Sequence, residues 1–390
     1  MSKSKTIVIE AGTLLTPRKR LSPGRVIIEG DSVAEAGAPE AVRIPAGAHT
    51  IDASQWIVTP GFIDPHIHGC GGVDVMDGAW ESLNAVSRIV ARHGTTAFLP
   101  TTVSSPVEIL NGVLEKLGNL MAKTFDGARP LGIHLEGPFI SAAKRGTHKA
   151  ANVAAPDVKL LERWIRCSSR SIRLMTVAPE LEGIDPVLGL ARDSGITVGM
   201  GHSNATFEQA GAAAGRGVCY AVHTFNAMRE FTHRDPGIVG EVLSNDGILA
   251  EIIADGIHVD PAVVRLFARA KQKTGVVLVT DAISATDMPD GRYVLGTDSV
   301  DVVNGVCRDA DGRLAGSTLS QEVAFRNFVE WSGWTLEDAL LGLTLNPAKA
   351  LKLARKGVLE PGADADIAIL DKSFRVMKTF VAGKLVFERG

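Results

Sequence analysis

Apolar residues along this chain follow two rhythms. From residue 57 to 356, short apolar runs that read as buried strands take turns with stretches whose apolar residues recur every three or four positions. The strand-like runs end near His68, Pro100, Glu136, Pro179, His202, His223, His258 and Asp281. Between them, Leu83, Val86 and Val90 before Gly94 mark one helix, and Val107, Leu110, Leu114, Leu117 and Met121 another. Val263, Val264, Phe267 and Ala270 mark a later one. Strand and helix in alternation predict a parallel sheet covered by helices. Eight such runs are what a (β/α)8 TIM-like barrel requires, and the α/β reading places that barrel at 57–356. A doubly wound open sheet is the competing layout, but it gathers its ligand loops at one switch point. Here residues able to do chemistry stand at nearly every strand end.

Outside this region the rhythm shortens. Residues 6–10, 25–29 and 32–35 alternate apolar and polar side chains between turn pairs such as Pro23-Gly24 and Gly30-Asp31. Residues 365–370 and 379–387 have the same texture. Each set is too small to bury a core alone, so 1–56 and 357–390 are expected to pair into one accessory β-sandwich around the inserted barrel. After Asp281 a hairpin excursion through Arg313, placed to lie over the site, precedes closing helices with Val323, Phe325, Phe328, Val329, Ala339, Leu340 and Leu343.

Composition narrows the function. The 390 residues carry a formal charge of -3, which gives no bulk attraction for nucleic acid or an anionic membrane. The four cysteines, Cys70, Cys167, Cys219 and Cys307, form no Cys-x-x-Cys pair and suggest a reducing, cytoplasmic setting. The first residues hold no apolar leader, and no run reaches the roughly 20 apolar residues of a spanning helix, so the chain reads as soluble.

Most strand ends offer a candidate. His66 and His68 are two apart, so on an extended strand both imidazoles point one way and can reach one metal ion. His202 and His223 follow apolar runs, and Glu136 ends the run at 131–136. Packed histidines bonded to backbone are the bland reading, yet histidines and a carboxylate at corresponding strand ends suit zinc or iron with a position left for water. Asp281 after 276–280 could cap a loop, or take and return a proton beside a metal-activated water. His134 shares a face with Glu136, either orienting a ligand or simply packed. Residues 145–148, 231–237 and 255–258 place Arg145, His148, Arg234 and His258 in loops able to hold an anion. Cys70 has no base at a usable spacing, which argues against a nucleophile.

In order along nearly the whole chain, residues 60–69 (Pro-Gly-Phe-Ile-Asp-Pro-His-Ile-His-Gly), 134–140, 145–148, 201–203, 223–228, 255–258 and 278–282 resemble the amidohydrolase superfamily and, within it, the N-acetylglucosamine-6-phosphate deacetylase family. The resemblance implies that Glu136, His202 and His223 hold a divalent metal, zinc first, with iron, cobalt or manganese as alternatives. It implies Asp281 as general base and then acid, and His148 as the group that polarises the acetyl carbonyl. Asn226, Ala227 and His258 would contact the sugar phosphate, joined by Arg234 from the neighbouring subunit of a homodimer. Some family members carry amides in place of His66 and His68, so the intact pair leaves room for a second ion bridged by Glu136. The implied reaction hydrolyses the acetamide of N-acetylglucosamine 6-phosphate. The galactosamine epimer is the close alternative and a cyclic-amide hydrolase the distant one, disfavoured because no lysine stands where Glu136 does. A metal-free relative that has lost catalysis is the alternative from another class.

Overall fold

The structure, a computed structural model, describes residues 6–390. Residues 1–5, the start of the segment expected at 1–56, lie outside the described residues. Strands β1 (Phe62–Ile67), β2 (Thr95–Thr102), β3 (Ile133–Glu136), β4 (Ile172–Val177), β5 (Thr197–Met200), β6 (Tyr220–Ala221), β7 (Leu249–Ile253) and β8 (Val276–Val279) run parallel, each paired with the next. The ring closes where Ile67 bridges Ala282 and His68 N–H donates to the Ala282 carbonyl.

The intervening helices are α1 (Trp80–Ala91), α2 (Val107–Leu120), α3 (Val158–Cys167), α4 (Ile184–Asp193), α5 (Phe207–Gly215), α6 (Gly237–Ser244) and α7 (Pro261–Gly275). Their apolar stripes pack on the outer strand faces, as Leu161, Trp164 and Ile165 of α3 do below an Asp157 cap. Inward-facing side chains Ile63, Leu99, Leu174, Tyr220 and Val277 fill the barrel. This apolar plug is a dry floor, so polar side chains at the C-terminal strand ends are screened from water below.

The flanking segments meet in a single eight-stranded sheet. Its long strand His49–Pro60 runs parallel to Ile7–Leu15 and antiparallel to Ile367–Leu370. The sheet curls until Ser32 bridges Asp364, so the expected sandwich is one ladder folded over a shared core of Ile9, Val26, Ile367 and Phe380. Residues 57–60 belong to this sheet, past the boundary read at 56, and the barrel begins at Phe62. Gly61 makes the crossing, since a Cβ there would sit 2.2 Å from the Thr96 side chain.

β7 stops at Ile253, short of the end expected near His258. The Asp255 carboxylate accepts the N–H groups of Ile257 and His258, both at 2.8 Å, and that turn bends the chain out of the ladder. The excursion is a three-stranded sheet, Gly291–Leu295, Asp298–Val303 and Val306–Arg308, leaning over the barrel mouth. Helices α8 (Gln321–Ser332), Leu336–Leu340 and Leu345–Ala350 close the chain's path around the barrel.

Candidate metal centre and active site

His66, His68, Glu136, His202, His223, His148 and Asp281 converge at the C-terminal mouth. Glu136 is the hub. Its Oε1 lies 3.1 Å from His223 Nε2, 3.2 Å from His202 Nε2 and 3.4 Å from His66 Nε2. Its Oε2 lies 3.4 Å from His68 Nε2 and 3.6 Å from His148 Nε2. Asp281 Oδ1 is 3.2 Å from His68 Nε2 and 3.5 Å from that of His66. Three triads keep their donor atoms within 4.8 Å of one another: His66, His68 and Asp281; His66, Glu136 and His223; Glu136, His148 and His202.

The far nitrogen of each ring fixes what the near one can do. His68 Nδ1 faces the Thr101 carbonyl at 2.9 Å, and His202 Nδ1 the Lys144 carbonyl at 3.1 Å. A carbonyl only accepts, so these nitrogens carry the proton and Nε2 presents a lone pair. His66 Nδ1 does the same to Glu251 Oε2 at 2.9 Å, leaving its Nε2 buried without a hydrogen bond. His148 is reversed. The Ser104 N–H donates to its Nδ1 at 3.1 Å, so Nε2 bears the proton and faces the site as a donor. Three Nε2 lone pairs and two carboxylates therefore suit a borderline divalent cation such as zinc, whereas His148 suits a developing oxyanion. His223 Nδ1 has no hydrogen-bond partner, so the surroundings do not set its tautomer.

The electrostatics agree. Burial opposes charge on every group, yet His66 holds Glu136 and Asp281 below the usual carboxylate range. His66 is buried too, but Glu251, Glu136 and Asp281 push it well above an ordinary imidazole. Burial drops His202 to about 4, which keeps it neutral and ligand-ready. A cluster whose carboxylates draw a proton onto His66 is one that asks for positive charge at its centre.

Local backbone sets these side chains. His202, His223 and Asp281 have φ of 46°, 26° and 50°, a left-handed conformation that costs a non-glycine residue about 1–3 kcal/mol. The His202 turn is held by Glu180, which accepts from Asn204 N–H at 2.6 Å and Ser203 Oγ at 2.8 Å. The His223 N–H donates to Glu251 at 2.9 Å, and the Asp281 N–H to the His66 carbonyl at 3.0 Å.

Above the cluster lies a cavity of about 250 Å³ whose lining includes His148, Asn226, Ala227, His258 and, from the excursion, Leu295, Asp298 and Arg313. His258 Nδ1 lies 2.7 Å from Asp255 Oδ2, a contact that raises its pKa against the effect of burial. Arg145 turns away, donating to the His148 carbonyl at 2.6 Å. Arg234 stands in an exposed loop outside the lining, beside Phe231 at 54% exposure. His134 sits below the cluster with Nε2 2.7 Å from Thr176 Oγ1 and Nδ1 3.3 Å from Thr101 Oγ1, a satisfied, packed histidine. Cys70 is buried with burial raising its pKa, far from a thiolate nucleophile. Sequence reading missed Glu251, Glu180 and Arg313. For Glu251 the available signal was a carboxylate inside an inward-facing strand position of a barrel.

Residues 57–386 match the amidohydrolase family. The N-acetylglucosamine-6-phosphate deacetylase of Lysinibacillus sphaericus is 38% identical over 87% of this chain and 88% of its own length. The N-acetylgalactosamine-6-phosphate deacetylase of Escherichia coli O157:H7 is 36% identical over 97% of this chain and 99% of its own. The solved N-acetyl-D-glucosamine-6-phosphate deacetylase of Mycobacterium smegmatis superposes with a TM-score of 0.91 at 32% identity, covering 98% of this chain and 100% of that one.

Proposed function

This chain belongs to the amidohydrolase family, and from that premise we propose that it hydrolyses the acetamide of N-acetylglucosamine 6-phosphate to glucosamine 6-phosphate and acetate. The observation that carries the reading is the opposed polarity of the histidines around Glu136, with lone pairs at His66, His68 and His202 and a donor at His148. Glu136, His202 and His223 would hold a divalent ion, zinc suiting these nitrogen and oxygen donors best, and His66 with His68 a second one. Such an ion supplies Lewis acidity, which makes water acidic near neutrality.

The chain's own groups do the rest. The Asp281 carboxylate, kept ionised, accepts a proton from the attacking water as its oxygen bonds to the acetyl carbon. His148 donates its Nε2–H to the carbonyl oxygen as charge develops there. Asp281 then returns the proton to the nitrogen as the C–N bond breaks. Asn226, Ala227 and His258 line the cavity where the phosphorylated sugar would lie, with His258 raised by Asp255 toward the cationic form that favours a phosphate. Arg234, exposed beside Phe231, is suited to reach the site of a second subunit in a homodimer. The cysteines are free, which supports a cytoplasmic setting. No helix among the described residues is long and apolar enough to cross a membrane.

The test is acetate release from the 6-phosphates of N-acetylglucosamine and N-acetylgalactosamine, from both unphosphorylated sugars, and after chelation. The glucosamine phosphate should be fastest and chelator should abolish turnover. The galactosamine reading is kept because the relative acting on that sugar aligns over 97% of this chain; a faster galactosamine phosphate would decide for it. Equal rates without phosphate would remove the roles given to His258 and Arg234.

A further inference from the structure

Glu251 is left without a task by the chemistry above. It stands mid-strand in β7, inward-facing and fully buried. Among the described residues its only ionic partner is His66. Its Oε2 accepts from His66 Nδ1 and from the His223 N–H, both at 2.9 Å. Its Oε1 and the neighbouring Tyr220 hydroxyl are buried without hydrogen-bond partners. A carboxylate placed so, with no lysine or arginine against it, is costly to keep charged unless positive charge lies close by.

We propose that Glu251 is a positioning residue that enables a second divalent ion to bind at His66 and His68. Three observations lead there. The carboxylate fixes His66 as its Nδ1–H tautomer, which turns the Nε2 lone pair toward Glu136 and Asp281. It makes that imidazole a stronger donor by stabilising the positive charge that develops on the ring when Nε2 gives its electrons to a cation. It also ties β1, which carries His66, to the left-handed turn at His223, so one side chain sets the spacing between the two halves of the centre. The Glu251 charge, rather than the presence of His66 and His68 alone, then decides whether their position fills. The inference rests on the metal reading of the preceding subsection.

Metal-stripped full-length chain is reloaded with Zn2+ and dialysed against graded chelator, and ions per subunit are counted. Wild type, Glu251→Gln, His66→Asn and the double variant are compared, with circular dichroism of each metal-free form. Glutamine keeps one acceptor oxygen for both N–H groups, removes the charge, and puts its NH2 where Oε1 has no partner. Wild type should hold two ions. E251Q should fold as wild type does and lose one ion at a chelator level at least about tenfold lower. The double variant should hold metal no worse than H66N, because Glu251 acts through His66. E251Q retaining both ions at the wild-type chelator level, or a double variant weaker than H66N by the full E251Q factor, overturns the proposal. Metal-free E251Q that is unfolded also overturns it, since the role is then structural. Wild type holding a single ion that E251Q holds equally well overturns this inference alone, and wild type that takes up no ion overturns the metal reading with it.

Discussion

At the scale of single residues, the direction of a hydrogen bond separates side chains that composition treats alike. His148 and His202 are both buried histidines on Glu136, yet one receives a backbone N–H at Nδ1 and the other gives its proton to a carbonyl. His148→Asn should therefore lower kcat about 10²–10³-fold with bound metal unchanged. His202→Asn should lower bound metal itself, and ion counting beside kinetics separates the two. An H148N variant that lost metal would reverse the assignment. Asp281→Asn should cut kcat about 10³-fold or more while substrate still binds, because the proton carrier is gone and the cavity is not. Activity near wild type would remove Asp281 from the proton path. His202 and Asp281 were legible because each ends an apolar run, whereas His148, in the loop after Glu136, was placed by the family resemblance. What was not legible is how they are held. Positive φ at His202, His223 and Asp281 runs against residue preference, and the supporting carboxylates Glu180 and Glu251 act across strands far apart in sequence.

At the scale of elements, the helices α1, α2 and α7 announced themselves through spacing, and their apolar stripes are buried against the barrel. Boundaries hid wherever a side chain redirected the backbone. Asp255 ended β7 early, and Gly61 let an alternating stretch finish in one sheet before the next began. A junction of a different kind joins α1 to α8. His93, just past α1, has Nδ1 2.9 Å from Glu322 Oε1 at the start of α8 and Nε2 3.0 Å from Asp287 Oδ2. Burial disfavours the imidazolium, but these two carboxylates raise His93 to about 9. Glu322 Oε2 also accepts the Val376 N–H at 2.7 Å, which extends the clamp to the accessory sheet. The folded value exceeds the unfolded one of about 6.5, so this contribution is complete below pH 6.5 and disappears as pH rises through about 9. With the His93 side chain 16% exposed, on the order of 2 kcal/mol is at stake. Urea unfolding of wild type and His93→Gln should differ most near pH 6 and converge by about pH 10. A constant gap across that range would show that His93 contributes by packing.

At the scale of the whole molecule, the cavity of one chain offers His258 and backbone-held Asn226 but keeps Arg234 outside its lining. A phosphate dianion is better met by a guanidinium than by an imidazole alone. In the proposed homodimer a second copy would bring that group on its exposed 231–235 loop, and a two-fold interface would make the exchange mutual. This arrangement has a consequence no monomer could mimic. Arg234→Ala should raise KM for the phosphorylated sugar and leave the rate on the unphosphorylated sugar unchanged, while Asp281→Asn should be inactive on both. When the two variants are unfolded together and refolded as a mixture, half of the dimers should be hybrids. In each hybrid one site keeps its own Asp281 and receives an intact Arg234 from the other subunit. About a quarter of all sites should then recover wild-type KM, by the statistics of random pairing in a two-fold dimer. Light scattering gives the mass in the same experiment. Recovery of wild-type KM requires Arg234 to act across the interface, because neither chain in the mixture carries both side chains. If every active site in the mixture keeps the raised KM of the R234A parent, Arg234 serves the chain that carries it.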